Sequence, residues 1–138
     1  MMAEKRPIGY WLKELDRLIN ERFDEDLAAG ELSRRHWQML HSLAEGARPA
    51  GEIRDALAPF WTHAGEWEQE VAQLVERGFV VADSGTLSLT AAGRATHDEA
   101  FIRIGRRRRA MVEGITDEQY LETVRMLEKM AGNMAAGA

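Results

Sequence analysis

Four histidines, His36, His41, His63 and His97, are the side chains in this sequence best suited to acid–base or metal chemistry. No pair has the i, i+4 spacing of a helical metal site, and His36 to His41 is one residue too long. There is no cysteine, so disulfides, thiolate metal sites and thiol-based peroxide sensing are excluded. No nucleophile motif, glycine-rich phosphate loop or recognisable pair of carboxylates is present. The expectation is a protein with no catalytic residue, no metal and no cofactor. Its chemistry is binding.

Two groups of residues suit that. The tryptophans Trp11, Trp37, Trp61 and Trp67 are many for 138 residues, and serve either as core or as the wall of a ligand pocket. Arg34 and Arg35 fall in the first turn of a helix, where a cation opposes the helix dipole; a phosphate contact would explain them. A denser run, Arg103 and Arg106 to Arg109, reads either as a contact to nucleic-acid phosphates or as a solvated helix face. In the second reading its partners are acids such as Asp24, Glu25 and Glu122.

The elements that position these residues follow from periodicity. Ile8, Trp11, Leu12, Leu15, Leu18, Ile19, Phe23 and Leu27 step by three and four, which predicts a helix over Ile8 to Ala28, with Pro7 before it and Gly30 after it. Ser33 caps a second helix whose inner face is Trp37, Leu40, Leu43 and Ala44. Pro49 to Leu57 is a short third helix that Pro59 cannot continue. Thr62 is then expected to cap a fourth, running to about Arg77. Two short strands, Phe79 to Ala82 and Thr86 to Leu89, form a hairpin through Asp83, Ser84 and Gly85. Thr90 caps a long fifth helix. Thr116 and Gln119 have capping-box spacing at the start of a sixth.

Helix, helix, short helix, helix and hairpin is the order of a winged helix-turn-helix. The fold class is mostly α (α+β). The domain reading is an N-terminal dimerisation helix over 1–30, a winged helix-turn-helix over 31–90 and C-terminal dimerisation helices over 91–138. The flanking helices carry apolar stripes that one small domain cannot cover, so a homodimer is expected. No stretch approaches the ~18 apolar residues of a membrane span, which makes a soluble, cytoplasmic protein the expectation.

Three stretches, Leu32-Ser-Arg-Arg-His-Trp-Gln-Met-Leu40, Val71-Ala-Gln-Leu-Val-Glu-Arg-Gly-Phe-Val80 and Leu87-Ser-Leu-Thr-Ala-Ala-Gly-Arg94, resemble the MarR family of transcriptional regulators over nearly the whole chain. The resemblance implies a homodimer that binds a double-stranded DNA operator with its fourth helix and wing. On this chain those elements present Thr62, His63, Gly65, Glu66, Gln69, Gln73 and Ser84, to which Arg34, Arg35 and Arg54 add basic groups. It also implies a small aromatic effector held between the dimer helices and the winged domain, where Trp11, Trp37, His41, Phe60, Trp61 and Phe101 would line the space.

Charge runs against this. The whole chain carries a net charge of -5 and a pI near 5.4. From Ala47 to Thr90 only Arg48, Arg54 and Arg77 oppose Glu52, Asp55, Glu66, Glu68, Glu70, Glu76 and Asp83. The wing tip has no arginine for a narrow minor groove. Specific over non-specific DNA binding is worth ~4–10 kcal/mol, and misplaced carboxylates would remove much of it. Glu66 is therefore either a reader of cytosine N4 or a sign against binding. The alternative is a winged-helix dimer that has lost standard DNA readout and serves as a ligand- or protein-binding module.

Overall fold

The computed structural model describes residues 5–137. The backbone forms two compact units, one running to Ile104 and one from Gly105.

In the first unit α1 spans Ile8–Ala28, α2 Arg34–Ser42, α3 Ala50–Leu57 and α4 Glu66–Glu76, with α5 beginning at Ala91. Ser33 caps α2 as expected, its hydroxyl accepting the His36 N–H at 3.1 Å. The apolar positions of α2, α3 and α4 meet the C-terminal end of α1 in one core. Leu40, Ile53 and Leu74, from α2, α3 and α4, are fully buried beside Leu27, Met39 and Leu43. Each such side chain contributes about 1.5–3 kcal/mol by leaving water.

Three antiparallel strands, β1 (Arg48–Pro49), β2 (Val80–Asp83) and β3 (Thr86–Leu89), lie in the order β1-β3-β2. The hairpin is tighter than expected. Asp83 belongs to β2 and pairs with Thr86, so only Ser84 (φ 51°) and Gly85 (φ 80°) turn the chain. Two successive positive φ values make a type I′ turn, whose twist matches that of the strands. The short edge strand β1 is an addition to the expected pair. It is two residues long, and its proline can offer no N–H to the ladder.

The start of α4 differs more. Thr62 does not cap it. The helix begins four residues later, after Gly65 in the left-handed region at φ 86°. A turn of 3-10 helix, Ala58–Phe60, uses up Pro59 first. The carboxylate of Glu66 then accepts both the Thr62 N–H, at 2.6 Å, and the Thr62 hydroxyl, at 2.9 Å. Residues 62–66 thus close on themselves before the helix starts. At its other end α4 stops in a Schellman turn at Gly78 (φ 78°), with the Phe79 N–H donating to the Leu74 carbonyl.

β3 feeds α5 through Thr90, whose hydroxyl accepts the Gly93 N–H at 3.0 Å and so caps the helix. α5 runs Ala91–Met111. The second unit holds its last turns and α6, Asp117–Ala136. The Thr116–Gln119 capping box forms in both directions, at 3.0 and 2.9 Å. No residue of α6 is buried. Among the described residues no helix is long and apolar enough to cross a membrane.

Candidate nucleic-acid interface and aromatic cluster

The outer surface of α4 follows from which side chains it buries. Glu66 and Leu74 are buried, and Trp67, Glu70 and Val71 are half-buried, which turns Glu68, Gln69 and Ala72 outward. Gln69 is exposed as expected. His63, exposed, donates from Nδ1 to the Ala64 carbonyl at 3.1 Å, and Gly65 sits exposed at the head of the helix.

Glu66 is a correction. It does not face outward; it is 8% exposed. The Thr62 backbone N–H first, and its hydroxyl second, hold the carboxyl below the ordinary carboxylate range; burial opposes them and His63 adds to them. Arg35 approaches the other carboxylate oxygen at 3.5 Å. Glu70 turns inward too, with an oxygen 2.7 Å from Nε2 of His36 on α2. Gln73 leans the same way, its Oε1 accepting from that nitrogen at 3.0 Å. Two of the carboxylates that made α4 look hostile to DNA therefore lie behind its outer face. Sequence reasoning missed this because His36 and Glu70 are brought together only by the packing of α2 on α4.

Arg34 and Arg35 also have partners within the protein. Arg34 donates to Asp24 at 2.7 Å and to Asn20, and lies over the Phe23 ring, so it ties α2 to α1. Arg35 donates to Gln38 and sits beside Glu66, Phe60 and Trp61. Both offset the unfavourable placement at a helix start with partners inside the protein. Arg54 is exposed, 3.9 Å from Asp55. Ser84 stands exposed at the wing tip, its hydroxyl on Asp83.

The arginine run divides. Arg103 donates to the Asp26 carbonyl at 2.9 Å and covers Gly30, a structural tie between α5 and α1. Of the acids named as candidate partners, Asp24 pairs with Arg34, Glu25 with Arg22 and Glu122 with Arg125.

The six residues expected to line one ligand space fall into three places. Trp11 is 57% exposed on α1, edge-on to Tyr10. Phe60 and Trp61 lie with Arg35, and Trp61 meets Trp67 edge-on at 5.8 Å. Only Trp37, His41 and Phe101 come together, and they do so around a residue missing from the expected set, His97. Trp37 lies nearly parallel to His41 and His97 at 4.9 and 5.0 Å. Phe101 lies at 6.0 and 5.8 Å from the same two rings. Nδ1 of His41 is 3.0 Å from Nε2 of His97, and Nδ1 of His97 is 2.8 Å from Asp98. A signal was available: Trp37 and His41 on α2, and His97 and Phe101 on α5, each have i, i+4 spacing, which sets two rings on one helix face.

No protein-family model matches the chain, and no curated protein matches it. Solved structures do. The Mycobacterium tuberculosis MarR family protein Rv2887, in complex with DNA, is 21% identical, with a TM-score of 0.66 over 91% of this chain and 98% of its own. YusO from Bacillus subtilis gives a TM-score of 0.73 at 17% identity, covering 91% of this chain and 92% of its own. NadR in complex with 4-hydroxyphenylacetate gives 0.67 at 20% identity, covering 96% of this chain and all of its own, 100%. At these identities the likeness is one of architecture: the chain has the winged helix-turn-helix fold of the MarR-family regulators.

Proposed function

We propose that this protein is a MarR-type transcriptional regulator: a homodimer that binds duplex DNA through α4 and the β2–β3 wing and is not itself an enzyme. The observation that carries the reading is the inward disposition of Glu66 and Glu70. It takes two carboxylates off the outer surface of α4, and leaves His63, Gly65 and Gln69 there beside one exposed acid, Glu68. That one similar structure is a complex with DNA supports the same reading. Trp37, His41, His97 and Phe101 are the residues through which an effector would act.

The dimer is supported by α1. Ile8, Trp11, Leu12, Leu15 and Ile19, at 46–57% exposure, form an apolar face left uncovered in the single chain. A monomer does not leave such a face to water, and a second copy with the same face is its natural cover.

A second reading has its own observation. Arg34 and Arg35 are engaged within the protein, and the wing tip presents Ser84 in place of a cation. On that reading the winged dimer binds a ligand or a protein, and DNA readout is gone. Selection from random duplexes with the purified protein separates the two. A pseudo-palindromic motif, whose affinity falls with salt at a slope of about -0.9 per phosphate contacted, supports the regulator. No enrichment at any salt concentration leaves the binding module.

A further inference from the structure

The polar side chains expected to read DNA from α4 and its approach are not equally free to do so. Thr62 commits its hydroxyl to the buried carboxylate of Glu66. His63 donates from Nδ1 to the Ala64 carbonyl. Gln73 is held from the side of α2, and the atoms around His36 show how. A carboxylate oxygen of Glu70 stands 2.7 Å from Nε2 of His36. That oxygen is an acceptor only, so Nε2 carries the hydrogen, and the group it meets on Gln73 at 3.0 Å is the amide oxygen. The other ring nitrogen, Nδ1, is buried with no hydrogen-bond partner, which suits a bare acceptor better than an orphaned N–H. Glu70 adds charge beside the bond to Gln73 rather than a second hydrogen bond. With its oxygen given to His36, Gln73 lacks the paired acceptor and donor that an adenine edge requires.

Gln69 differs. It is exposed, and its amide meets no partner among the described residues. It stands one turn into α4, its backbone N–H donating to the Gly65 carbonyl at 3.0 Å. The N-terminal part of a recognition helix is the part that reaches base edges. On the same face, Gly65 four residues before it and Ala72 three after it set no long side chain beside it. Glu68 shares the outer surface, but a carboxylate offers acceptors alone. Of the two amides on α4, only that of Gln69 keeps both its donor and its acceptor to give.

We propose that Gln69 is the specificity-determining residue of the DNA interface. It reads one adenine in each half-site through paired hydrogen bonds to N6 and N7, while Gln73 holds α4 to α2 and reads no base. The assignment rests on the proposed function above.

Selection from random duplexes with the wild type defines the motif. Affinities are then measured for the best duplex and for duplexes carrying each other base at each position. One position per half-site is expected to be adenine, at a cost of about tenfold in affinity when replaced. Gln69→Ala loses that discrimination and keeps the rest of the motif. Gln69→Glu, an acceptor only, prefers cytosine there. Gln73→Ala changes affinity for all sequences in the same ratio and leaves every base preference in place. Urea midpoints check that each variant is folded, as substitution at two exposed positions allows. A motif that Gln69→Ala leaves intact, a response to Gln69 at a base other than adenine, or an adenine preference lost in Gln73→Ala instead overturns the assignment while DNA binding stands. A wild type that enriches no duplex overturns both.

Discussion

Glu66 shows how a single residue changes meaning between sequence and structure. Read along α4 it is one of several carboxylates facing a polyanion. In the fold it is the acceptor that closes residues 62–66 and the partner of Arg35. Its carboxyl is held below the ordinary range, so the sign of its pH dependence is fixed. It stabilises the fold above the unfolded-state value of about 4.3, and that contribution is lost as pH falls through the lower folded value. Glu66→Gln is expected to lower the urea midpoint at neutral pH and to flatten the acid limb below about pH 4.3. An acid limb identical to the wild type would count against the assigned role.

At the scale of elements, Gly93 ties the wing to α5. A Cβ built there would stand 2.0 Å from the Phe79 carbonyl oxygen, which also accepts the Thr90 N–H. Backbone cannot move aside as a side-chain tip can. Gly93→Ala is therefore expected to destabilise by about 3 kcal/mol or more, the upper end for overpacking, measured by denaturant unfolding. Gly51, on the exposed face of α3, meets nothing within 4 Å. Gly51→Ala is expected to stabilise by about 0.5–1 kcal/mol. Opposite signs for one chemical change would show that approach distance, rather than glycine content, governs these helices. The motif around Gly93 was legible in the sequence. Its reason was not, because the contact joins residues 79 and 93 across the hairpin.

For the whole molecule the decisive quantity is mass in solution. The uncovered face of α1 is expected to bury itself against a second copy, so light scattering at micromolar concentration should give twice 15.6 kDa. Leu15→Glu places a charge in that face, where the side chain is 48% exposed in the single chain. It should shift the mass toward the monomer, with little effect on the winged core, to which Leu15 does not belong. A wild-type mass near 15.6 kDa would remove the dimer.

What the sequence by itself determined is the part governed by local rules. Three- and four-residue apolar steps set α1 to Ile8–Ala28, Ser33 and Thr116 act as caps, Gly78 ends α4, and a hairpin turns within Asp83 to Gly85. Each depends on residues within about one helical turn or one hairpin of each other, so spacing carries the information. Tertiary structure decided which charges remain available and which rings meet. Arg34 is committed to Asp24, Arg35 and Thr62 to Glu66, Glu70 to His36, and His41 to His97. Most of these partners lie ten or more residues apart in the chain. Their pairing depends on the packing of α1, α2, α4 and α5, and a charge or ring pattern read along one helix does not contain it.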